Sequence, residues 1–595
     1  MYKLVFMTGG LYLAYFCAII YSAGLRIGDK EGIFNLLTNP IFEIGIIWIC
    51  FYLTATRKRI LRVMFYCISI FLTLLFLVQI MYLALNGEYI QLLALENLNQ
   101  LYLLTSFKNL LLLSPIVVFI LGVGILLFRL HLKSKCSIVT LSLAVILCVI
   151  VSLLQNGYFI KNKSKYKNYI RNTPIVSFLD NCLALTGIKH RSKGLEDVVL
   201  PINYINKNEI YGNRLPYDLK KGINVEQRPN IILIFTEGTS ARLLGCYGGK
   251  FSGLTSRIDD FADNATVIRN YFNHTAATFR GTHGQLASCY PEKGGYGKGQ
   301  WADADNKDDY KKRSYQTLPN VLNAYNYETI FISPHLKSDP YTSLLEMLKF
   351  RRVLTAEDCE RIMGTVKMHN GGLRDIDVYN TVINVLSERE DSKPVFLSFY
   401  TVGTHAFMDT YDGGKKYSID NASLNTLYNL DDSFGKFWQW FKKSKYAQNT
   451  ILIFTADHAH YYDKPYLEVM QGDKDYKKFF VDKIPLIIYD PFHKLPKTID
   501  VNGKTSLDLT PTILHLLEIN DVKNSFLGKS LFDMRNSDSV NIAALGYEFY
   551  YIYNNEVYNY KDLDETSIYK KFVKYKVSLI KGYYGLESNN EVFSE

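Results

Sequence analysis

Long apolar runs fill the first 157 residues, whereas the rest of the chain alternates short apolar runs with polar turns. This change of pattern predicts a membrane-embedded part followed by a globular part. No clean small-residue cleavage site follows the first run, so we interpret it as a retained span rather than a cleaved signal peptide. Five runs reach or approach the roughly 20 residues that cross a bilayer: residues 4–22, 40–56, 60–85, 110–128 and 137–156.

Charge in the short loops between these runs predicts the orientation of the spans. Arginines and lysines collect at residues 57–62 and 129–135, whereas the loop around Glu88 and Glu96 carries few of them. Because positively charged loops stay in the cytoplasm, one further span delivers everything after residue 157 to the outside. Basic residues at 161–171 run against this orientation, but large domains translocate largely regardless of charge, and such a segment can rest on anionic headgroups. The expected parts are a transmembrane domain (1–157), a juxtamembrane connector (158–220) and an extracytoplasmic domain (221–595).

The globular part has the pattern of an α/β domain. From Asn230 onward, β-rich apolar runs recur with helical stretches between them, which predicts a mostly parallel central sheet. In such sheets ligands bind beyond the carboxyl ends of the strands. The predicted strands are 230–236, 329–333, 395–400, 450–455 and 484–489.

Composition removes some classes of function. The net charge of +10 is small for 595 residues, and the lysines are dispersed among acidic residues, so nucleic-acid binding gains no support. Nine cysteines occur without a CxxC pair, which argues against a zinc finger. Outside the apolar segments, Cys182, Cys246, Cys289 and Cys359 could form disulfides after export or remain free thiols.

Two of the predicted strands end in potential metal ligands. The first runs into Thr236-Glu237-Gly238, and the fourth ends in Thr455-Ala456-Asp457-His458. Two carboxylates and one imidazole suit a divalent zinc or manganese ion that still lacks a fourth ligand, although such residues are often only caps or hydrogen-bonded pairs. The segment between them, residues 273–284, crowds hydroxyls, glycines, one arginine and two histidines.

In the order of its motifs, the stretch 228–533 resembles the sulfatase-like phosphotransferases of the alkaline phosphatase superfamily. That group includes lipoteichoic acid synthase and the phosphoglycerol and phosphoethanolamine transferases of the bacterial envelope. Each motif is weak alone, but their shared order is not expected by chance. They are the strand before Glu237 and residues 245–248, 278–282, 288–291, 403–405, 457–458, 484–489, 508–512 and 528–531.

This resemblance implies a bacterial inner-membrane enzyme that holds Zn²⁺ or Mn²⁺ with Glu237, Thr278, Asp457 and His458. It also implies that Thr278 is the nucleophile, because metal coordination stabilises the alkoxide of a hydroxyl that is otherwise a poor nucleophile. The donor would be a membrane phospholipid, whose headgroup passes through a covalent phospho-threonine to an envelope glycan or glycolipid. Nearby Thr282 is a second candidate hydroxyl, but the motif aligns best on Thr278.

Further residues are expected to bind substrate. His405 resembles the phosphate-contacting histidine of the family and could move a proton, or could be an ordinary loop histidine. His335 is a candidate for the same cleft, Arg280 could grip phosphate oxygens in a fork, and Thr282 could bind phosphate or cap a helix. His274, His283 and His460 could line the pocket.

Several functions remain open on the sequence. Phosphoethanolamine transfer is slightly favoured because four exported cysteines suggest a disulfide-forming periplasm. Phosphoglycerol transfer of the lipoteichoic acid synthase type to a surface polysaccharide is the alternative. A true sulfatase needs a modifiable Cys or Ser before x-Pro-x-Arg, which residues 278–282 do not provide. A non-catalytic binding protein with this fold would have lost ligand types, and a transporter would need buried charges in its spans.

Overall fold

The computed structural model describes two compact units, within residues 1–192 and 193–595. The described residues are 9–17, 40–54, 58–86, 89–90, 173–185, 227–294, 316–369, 371–390, 393–493, 495–519, 522, 524–533, 540–563 and 569–588.

The first unit is helical wherever it has regular structure. Residues 9–17 are helical, followed by α1 (Ile41–Leu53), α2 (Arg59–Asn86) and α3 (Pro174–Leu185). Among the described residues, α2 alone is long and apolar enough to cross a membrane, through the 25 residues Arg59–Leu83.

Of the five predicted spans, one is therefore present as a sufficiently long apolar helix among the described residues. Residues 60–85 form a helix of sufficient length, whereas residues 40–56 contain a helix of only 13 residues. Thr54 caps the carboxyl end of that helix, just before the basic loop. Its hydroxyl donates a hydrogen bond to the Phe51 carbonyl at 2.6 Å. Of the run 4–22 only residues 9–17 are described, and the runs 110–128 and 137–156 lie outside the described residues.

A buried carboxylate joins two helices of the first unit. Glu43 of α1 accepts the backbone N–H of Ile175 at 2.9 Å and of Val176 at 2.9 Å, and the hydroxyl of Thr173 also donates to it. These N–H groups belong to the first turn of α3 and have no partner within the helix, so a carboxylate is well placed there. The α3 segment of the predicted connector therefore packs within the first unit.

The second unit is built on an eight-stranded mixed sheet whose strands lie in the order β10-β2-β9-β8-β1-β7-β3-β4. Among these strands β9 alone runs antiparallel to its neighbours, so the sheet is mostly parallel, as predicted. A hairpin (β5-β6) and a three-stranded sheet (β11-β12-β13) complete the strands of the described residues. In chain order they are β1 (Asn230–Thr236), β2 (Thr266–Arg269), β3 (Glu328–Ile332), β4 (Arg352–Leu354), β5 (Met368–His369), β6 (Gly372–Leu373), β7 (Val395–Thr401), β8 (Thr450–Ala456), β9 (Leu486–Tyr489), β10 (Thr498–Asp500), β11 (Val540–Leu545), β12 (Glu548–Tyr553) and β13 (Glu556–Asn559).

Helices cover both faces of the large sheet. On β7, Tyr400 packs against Tyr341 of one helix, while Phe399 packs against Tyr379 of another, at ring centroid distances of 5.6 and 5.2 Å. Because successive strand residues point to opposite faces, the two helices lie on opposite sides. The α-helices of this unit are α4 (Ser256–Asp263), α5 (Thr278–Ala287), α6 (Leu318–Ala324), α7 (Pro340–Met347), α8 (Ala356–Met363), α9 (Asp375–Ser387), α10 (Ala422–Lys443), α11 (Lys464–Val469), α12 (Leu509–Leu516) and α13 (Lys570–Ser588).

Four adjacent parallel strands create the edge on which the candidate residues lie. The strands β8, β1, β7 and β3 are neighbours and run in the same direction. Their carboxyl ends are followed by Asp457, Glu237, His405 and His335, respectively. Residues far apart in the sequence therefore meet at one edge, where α/β sheets bind ligands.

Candidate metal centre and active site

Three buried side chains form a cluster that could hold a metal ion. Glu237 follows β1, and Asp457 and His458 follow β8; one potential ligand atom of each lies within 4.8 Å of the others. His458 Nε2 is 3.1 Å from Glu237 Oε1 and 3.4 Å from Asp457 Oδ2. Two carboxylates and an imidazole are a donor set typical of zinc or manganese.

Backbone contacts leave one potential ligand atom available on Asp457 and one on His458. Asp457 Oδ1 accepts the N–H of Gly238 at 2.9 Å and that of His458 at 2.8 Å, whereas buried Oδ2 has no hydrogen-bond partner among the described residues. His458 Nδ1 lies 2.7 Å from the Ala459 carbonyl, which can only accept, so Nδ1 carries the proton. In the neutral form of the ring, Nε2 presents a lone pair. The residues present therefore fit a divalent cation.

The charges in this cluster are strongly coupled. Burial, together with the Glu237 carboxylate, raises the pKa of Asp457 to about 7. Burial opposes ionisation of Glu237 as well, but the charges of His405 and His458 prevail and lower its pKa to about 2. Burial lowers the pKa of His458, yet the two carboxylates outweigh it and raise that pKa to about 10. Protonated His458 thus supplies positive charge that a bound cation could supply instead.

Thr278 is the first residue of α5 and lies beside this cluster. Its half-buried hydroxyl donates to Glu237 Oε2 at 3.1 Å, and its Oγ1 lies 3.4 Å from the Tyr400 hydroxyl. The preceding Ala277 adopts φ 68° and ψ 144°, a conformation rarely populated by a residue with a Cβ atom. The amino end of a helix favours negative charge, which suits an alkoxide or a phosphoryl group at Thr278.

Close contacts attach α5 to the end of β8. A Cβ atom built on Gly281 would lie 2.3 Å from the Asp457 carbonyl oxygen, so the helix approaches that backbone as closely as glycine allows. One turn later, Gln285 Nε2 donates to the same oxygen at 2.8 Å and to the Ala456 carbonyl at 3.1 Å. The helix that carries Thr278 is therefore fixed against the strand that precedes two of the candidate metal ligands.

His405 follows two residues that hydrogen bonds hold in place. Thr404 donates its hydroxyl proton to the Glu237 carbonyl at 2.6 Å, and the N–H of Gly403 donates to buried Asp375 at 2.9 Å. His405 Nδ1 lies 2.8 Å from the Ala406 carbonyl, so this nitrogen is protonated and Nε2 is available. His405 directly follows Thr404, which contacts the Glu237 carbonyl, so this loop lies beside a candidate metal ligand.

The other predicted substrate-binding residues differ in their placement. The His335 ring lies 6.0 Å from the Tyr400 ring, and Tyr400 in turn contacts Thr278, so His335 borders the cleft. Thr282 is fully buried, with its hydroxyl 2.9 Å from the Tyr341 hydroxyl. Arg280 is also buried and donates through Nε and Nη2 to the Glu292 carbonyl. These contacts engage the Thr282 hydroxyl and the Arg280 guanidinium within the domain.

Of the three further histidines, one is bound into the core and one contacts the site. His274 Nδ1 pairs with Ser506 at 2.7 Å and Nε2 with the Cys289 carbonyl at 3.0 Å, and burial lowers its pKa to about 3. His460 Nδ1 lies 2.9 Å from the carbonyl of Gly238, which follows Glu237. His283 is buried within α5.

Tyr400 and Tyr341 were not among the residues expected from the sequence. Tyr400 belongs to the apolar run of β7, which reads as ordinary core. The available signal was its position as the penultimate residue of a strand that is followed by Gly403-Thr404-His405.

Comparison with known proteins agrees with this fold. Residues 229–519 match the family model for sulfatases. Among solved structures, the chain is similar to a protein in the alkaline phosphatase superfamily from Vibrio parahaemolyticus, with 18% identity, a TM-score of 0.50 and coverage of 69% of this chain and 96% of that one. Residues 229–519 therefore match the sulfatase family model, and the fold of this unit is similar to that of a solved structure of the alkaline phosphatase superfamily.

Two other solved structures are phosphotransferase relatives in fold. One is the lipoteichoic acid synthase LtaP from Listeria monocytogenes, with 16% identity, a TM-score of 0.50 and coverage of 65% of this chain and 98% of that one. The other is the integral membrane protein lipooligosaccharide phosphoethanolamine transferase A (EptA) from Neisseria meningitidis, with 14% identity, a TM-score of 0.52 and coverage of 88% and 98%. At these identities the similarity concerns the fold.

Proposed function

We propose that this chain is a metal-dependent phosphotransferase of the bacterial cytoplasmic membrane that moves a phospholipid headgroup through Thr278. The observation that carries the proposal is the 3.1 Å contact between the Thr278 hydroxyl and Glu237 Oε2, beside the cluster of Glu237, Asp457 and His458. A hydroxyl at this point can act as a nucleophile and as a fourth ligand. The similarity in fold to LtaP and EptA supports transfer over simple hydrolysis.

The protein's own residues define the chemistry of the step. Glu237, Thr278, Asp457 and His458 would hold Zn²⁺ or Mn²⁺, which when bound lowers the pKa of a coordinated hydroxyl and neutralises phosphoryl oxygens. Thr278 Oγ attacks the phosphorus of a phospholipid, the bond to the diacylglycerol oxygen breaks, and a phosphodiester remains on Thr278. An acceptor hydroxyl then takes the group and restores the threonine.

His405 is suited to the proton transfers of this cycle. Its Nδ1 is occupied by the Ala406 carbonyl, so Nε2 is the nitrogen that can pass the proton lost by Thr278 to the leaving alcohol, and later pass the proton lost by the acceptor back to Thr278 Oγ. It is half-buried, so substrate can reach it. In this proposal His335 borders the substrate.

Location in the membrane rests on the loop charges and on α2. The basic clusters at 57–62 and 129–135 favour a cytoplasmic position for both loops, and hence a multi-pass chain with its catalytic domain outside. The membrane would supply the lipid donor, and the envelope would supply a glycan or glycolipid acceptor.

The preference for a phosphoethanolamine headgroup rested on the possibility that four cysteines form disulfides. Of the two possibilities left open for Cys182, Cys246, Cys289 and Cys359, the described residues contain no disulfide, and Cys289 and Cys359 are buried. Burial in the core accounts for the Cys289 and Cys359 thiols without an oxidising compartment. The preference for phosphoethanolamine over phosphoglycerol therefore has no support from the cysteines.

Labelled lipid tests the proposal and distinguishes the headgroups. The full chain in nanodiscs receives phosphatidylethanolamine or phosphatidylglycerol with a radiolabelled headgroup phosphate, without acceptor. We expect label on the protein with one of these lipids, mapped to residue 278 by peptide analysis and absent from Thr278→Ala. Label on residue 282 would assign the nucleophile to Thr282. Release of label only as free phosphate ester, never on protein, would contradict a covalent transferase.

A non-catalytic binding protein is the candidate of another class. It requires no competent nucleophile, whereas Thr278 is accessible and lies beside three intact ligands. Lipid binding without label in the same experiment would favour it.

A further inference from the structure

Tyr400 contacts the reacting atom of the proposed nucleophile. Its hydroxyl lies 3.4 Å from Thr278 Oγ1, and this is the phenol's one hydrogen-bond partner among the described residues. The side chain is 1% exposed, so water cannot readily replace that partner. A buried phenol usually has a hydrogen-bond partner, and here the partner is the candidate nucleophile.

Two neighbouring rings and the pairing of its strand hold the ring of Tyr400 in place. Its centroid lies 5.6 Å from that of Tyr341 and 6.0 Å from that of His335. Tyr341 is fixed by its contact with Thr282, and His335 Nδ1 pairs with the Gly371 carbonyl at 3.1 Å. The strand adds rigidity, since Tyr400 pairs in register with Phe235, two residues before Glu237. The hydroxyl is therefore preorganised toward Thr278.

Hydrogen-bond roles determine which oxygen donates. The one hydroxyl proton of Thr278 is directed to Glu237 Oε2, and an ionised carboxylate can only accept. The proton between Tyr400 and Thr278 must then come from the phenol. At 3.4 Å this bond is weak, but such contacts shorten and strengthen when the acceptor becomes charged.

We infer that Tyr400 is a catalytic residue whose hydroxyl donates a hydrogen bond to Thr278 Oγ as that oxygen leaves phosphorus. The inference rests on the proposed function. In this step an acceptor hydroxyl oxygen bonds to phosphorus, the P–Oγ bond breaks, and its electron pair stays on Oγ. The proton lost by the acceptor finally returns to Oγ, which restores the threonine hydroxyl. Tyr400 keeps its own proton throughout.

This role predicts an asymmetry between the two halves of the cycle. In the phosphodiester, Oγ is a poor acceptor, but negative charge grows on it as the bond breaks, so the hydrogen bond is strongest in that transition state. Only interactions that strengthen in the transition state accelerate a step. Tyr400 accelerates formation of the intermediate less, because its hydrogen bond to Oγ weakens as Oγ attacks phosphorus. Removing the phenol should therefore slow release more than attack.

The variant Tyr400→Phe tests this prediction because it retains the ring and its packing. The full chain in nanodiscs is loaded with labelled phospholipid, acceptor is added, and the decay of label on Thr278 is followed per labelled enzyme, so misfolded protein does not contribute. We expect decay about 10- to 100-fold slower than in the wild type, the effect of losing one donor to a charged oxygen. The KM for acceptor should be unchanged, and the labelled fraction at steady state should rise.

A matched control is Tyr327→Phe, which also removes one buried hydroxyl. That hydroxyl donates to the Pro229 carbonyl at 2.9 Å, at the opposite ends of β1 and β3. Label decay in this variant should match the wild type. Decay in Tyr400→Phe equal to the wild type, or slower turnover without a larger labelled fraction, would overturn the role of Tyr400 alone. No label on wild-type Thr278 would overturn both this role and the proposed function.

Discussion

The contact between Gly281 and Asp457 gives the sharpest test of how the site is assembled. In Gly281→Ala the new Cβ atom would lie 2.3 Å from the Asp457 carbonyl oxygen and 2.9 Å from its carbon. Cβ contacts shorter than 3.0 Å essentially do not occur, so α5 or the end of β8 must move by about 0.7 Å or more. Both contacted atoms are backbone, so no side chain can simply rotate away.

Two magnitudes follow from this displacement. Overpacking of a well-packed interior costs about 1–3 kcal/mol of stability. Thr278 lies one turn before Gly281 on the same helix, and misplacement of a reacting group by about 1 Å can cost roughly 100-fold in rate. Gln285 resists relaxation because moving α5 lengthens its 2.8 Å bond to the same carbonyl. We therefore expect a modest loss of stability and a loss of activity close to 100-fold.

The assay compares Gly281→Ala with Gly249→Ala by thermal melting and by the rate of Thr278 labelling per folded enzyme. A Cβ atom on Gly249 would lie 2.5 Å from the Leu243 carbonyl oxygen, and none of its nearest atoms belongs to the candidate site. Both variants should lose stability, but only Gly281→Ala should lose its labelling rate. A folded Gly281→Ala protein with the wild-type rate would refute the view that this contact positions Thr278.

Two further predictions concern metal and pH. Added Zn²⁺ or Mn²⁺ should raise the Tm of the chelator-treated full chain, because a ligand that binds the folded state stabilises it. This shift in Tm should largely vanish in Asp457→Asn. Equal shifts in the two proteins would show that Asp457 is not part of the metal site. Burial raises the pKa of Asp375 from 3.8 to about 6, so the folded state disfavours its charged form and stability falls as pH rises between these values. Denaturant titration should show that the unfolding free energy of the wild type falls by about 2 kcal/mol, relative to that of Asp375→Asn, between pH 4 and pH 7. A difference in unfolding free energy between the two proteins that does not change with pH would contradict the raised pKa of Asp375.

The central strands could be predicted because they are apolar runs that end in polar residues. The predicted strand at 230–236 matches β1 residue for residue, and those at 395–400 and 450–455 each fall one residue short of β7 and β8. The edge strands β4 and β10 could not be predicted, since three residues with partial exposure leave no alternating pattern. Strand order and the reversed direction of β9 depend on long-range pairing, which periodicity does not encode.

The candidate site also contains residues that could be predicted from the sequence and residues that could not. Glu237, Asp457 and His458 could be predicted because polar residues directly after a buried strand lie at its carboxyl end. Tyr400 could not, because within an apolar strand it looks like core until the register brings it to Thr278. For Arg280, a guanidinium beside a candidate nucleophile suggested phosphate binding; in the structure it donates to the Glu292 carbonyl, and phosphate binding stays a prediction.

The position of the proposed nucleophile, Thr278, depends on the position of the candidate metal ligands in this fold. Asp457 receives its geometry from the N–H of Gly238, next to Glu237, and its carbonyl oxygen receives Gln285 and the close approach of Gly281. One residue thus contacts both the β1 ligand loop and the helix that carries the nucleophile. Substitutions at Gly281 and Gln285 act on the same carbonyl, so their effects on labelling should be non-additive. Additive effects would mean that α5 is held by contacts other than those with Asp457.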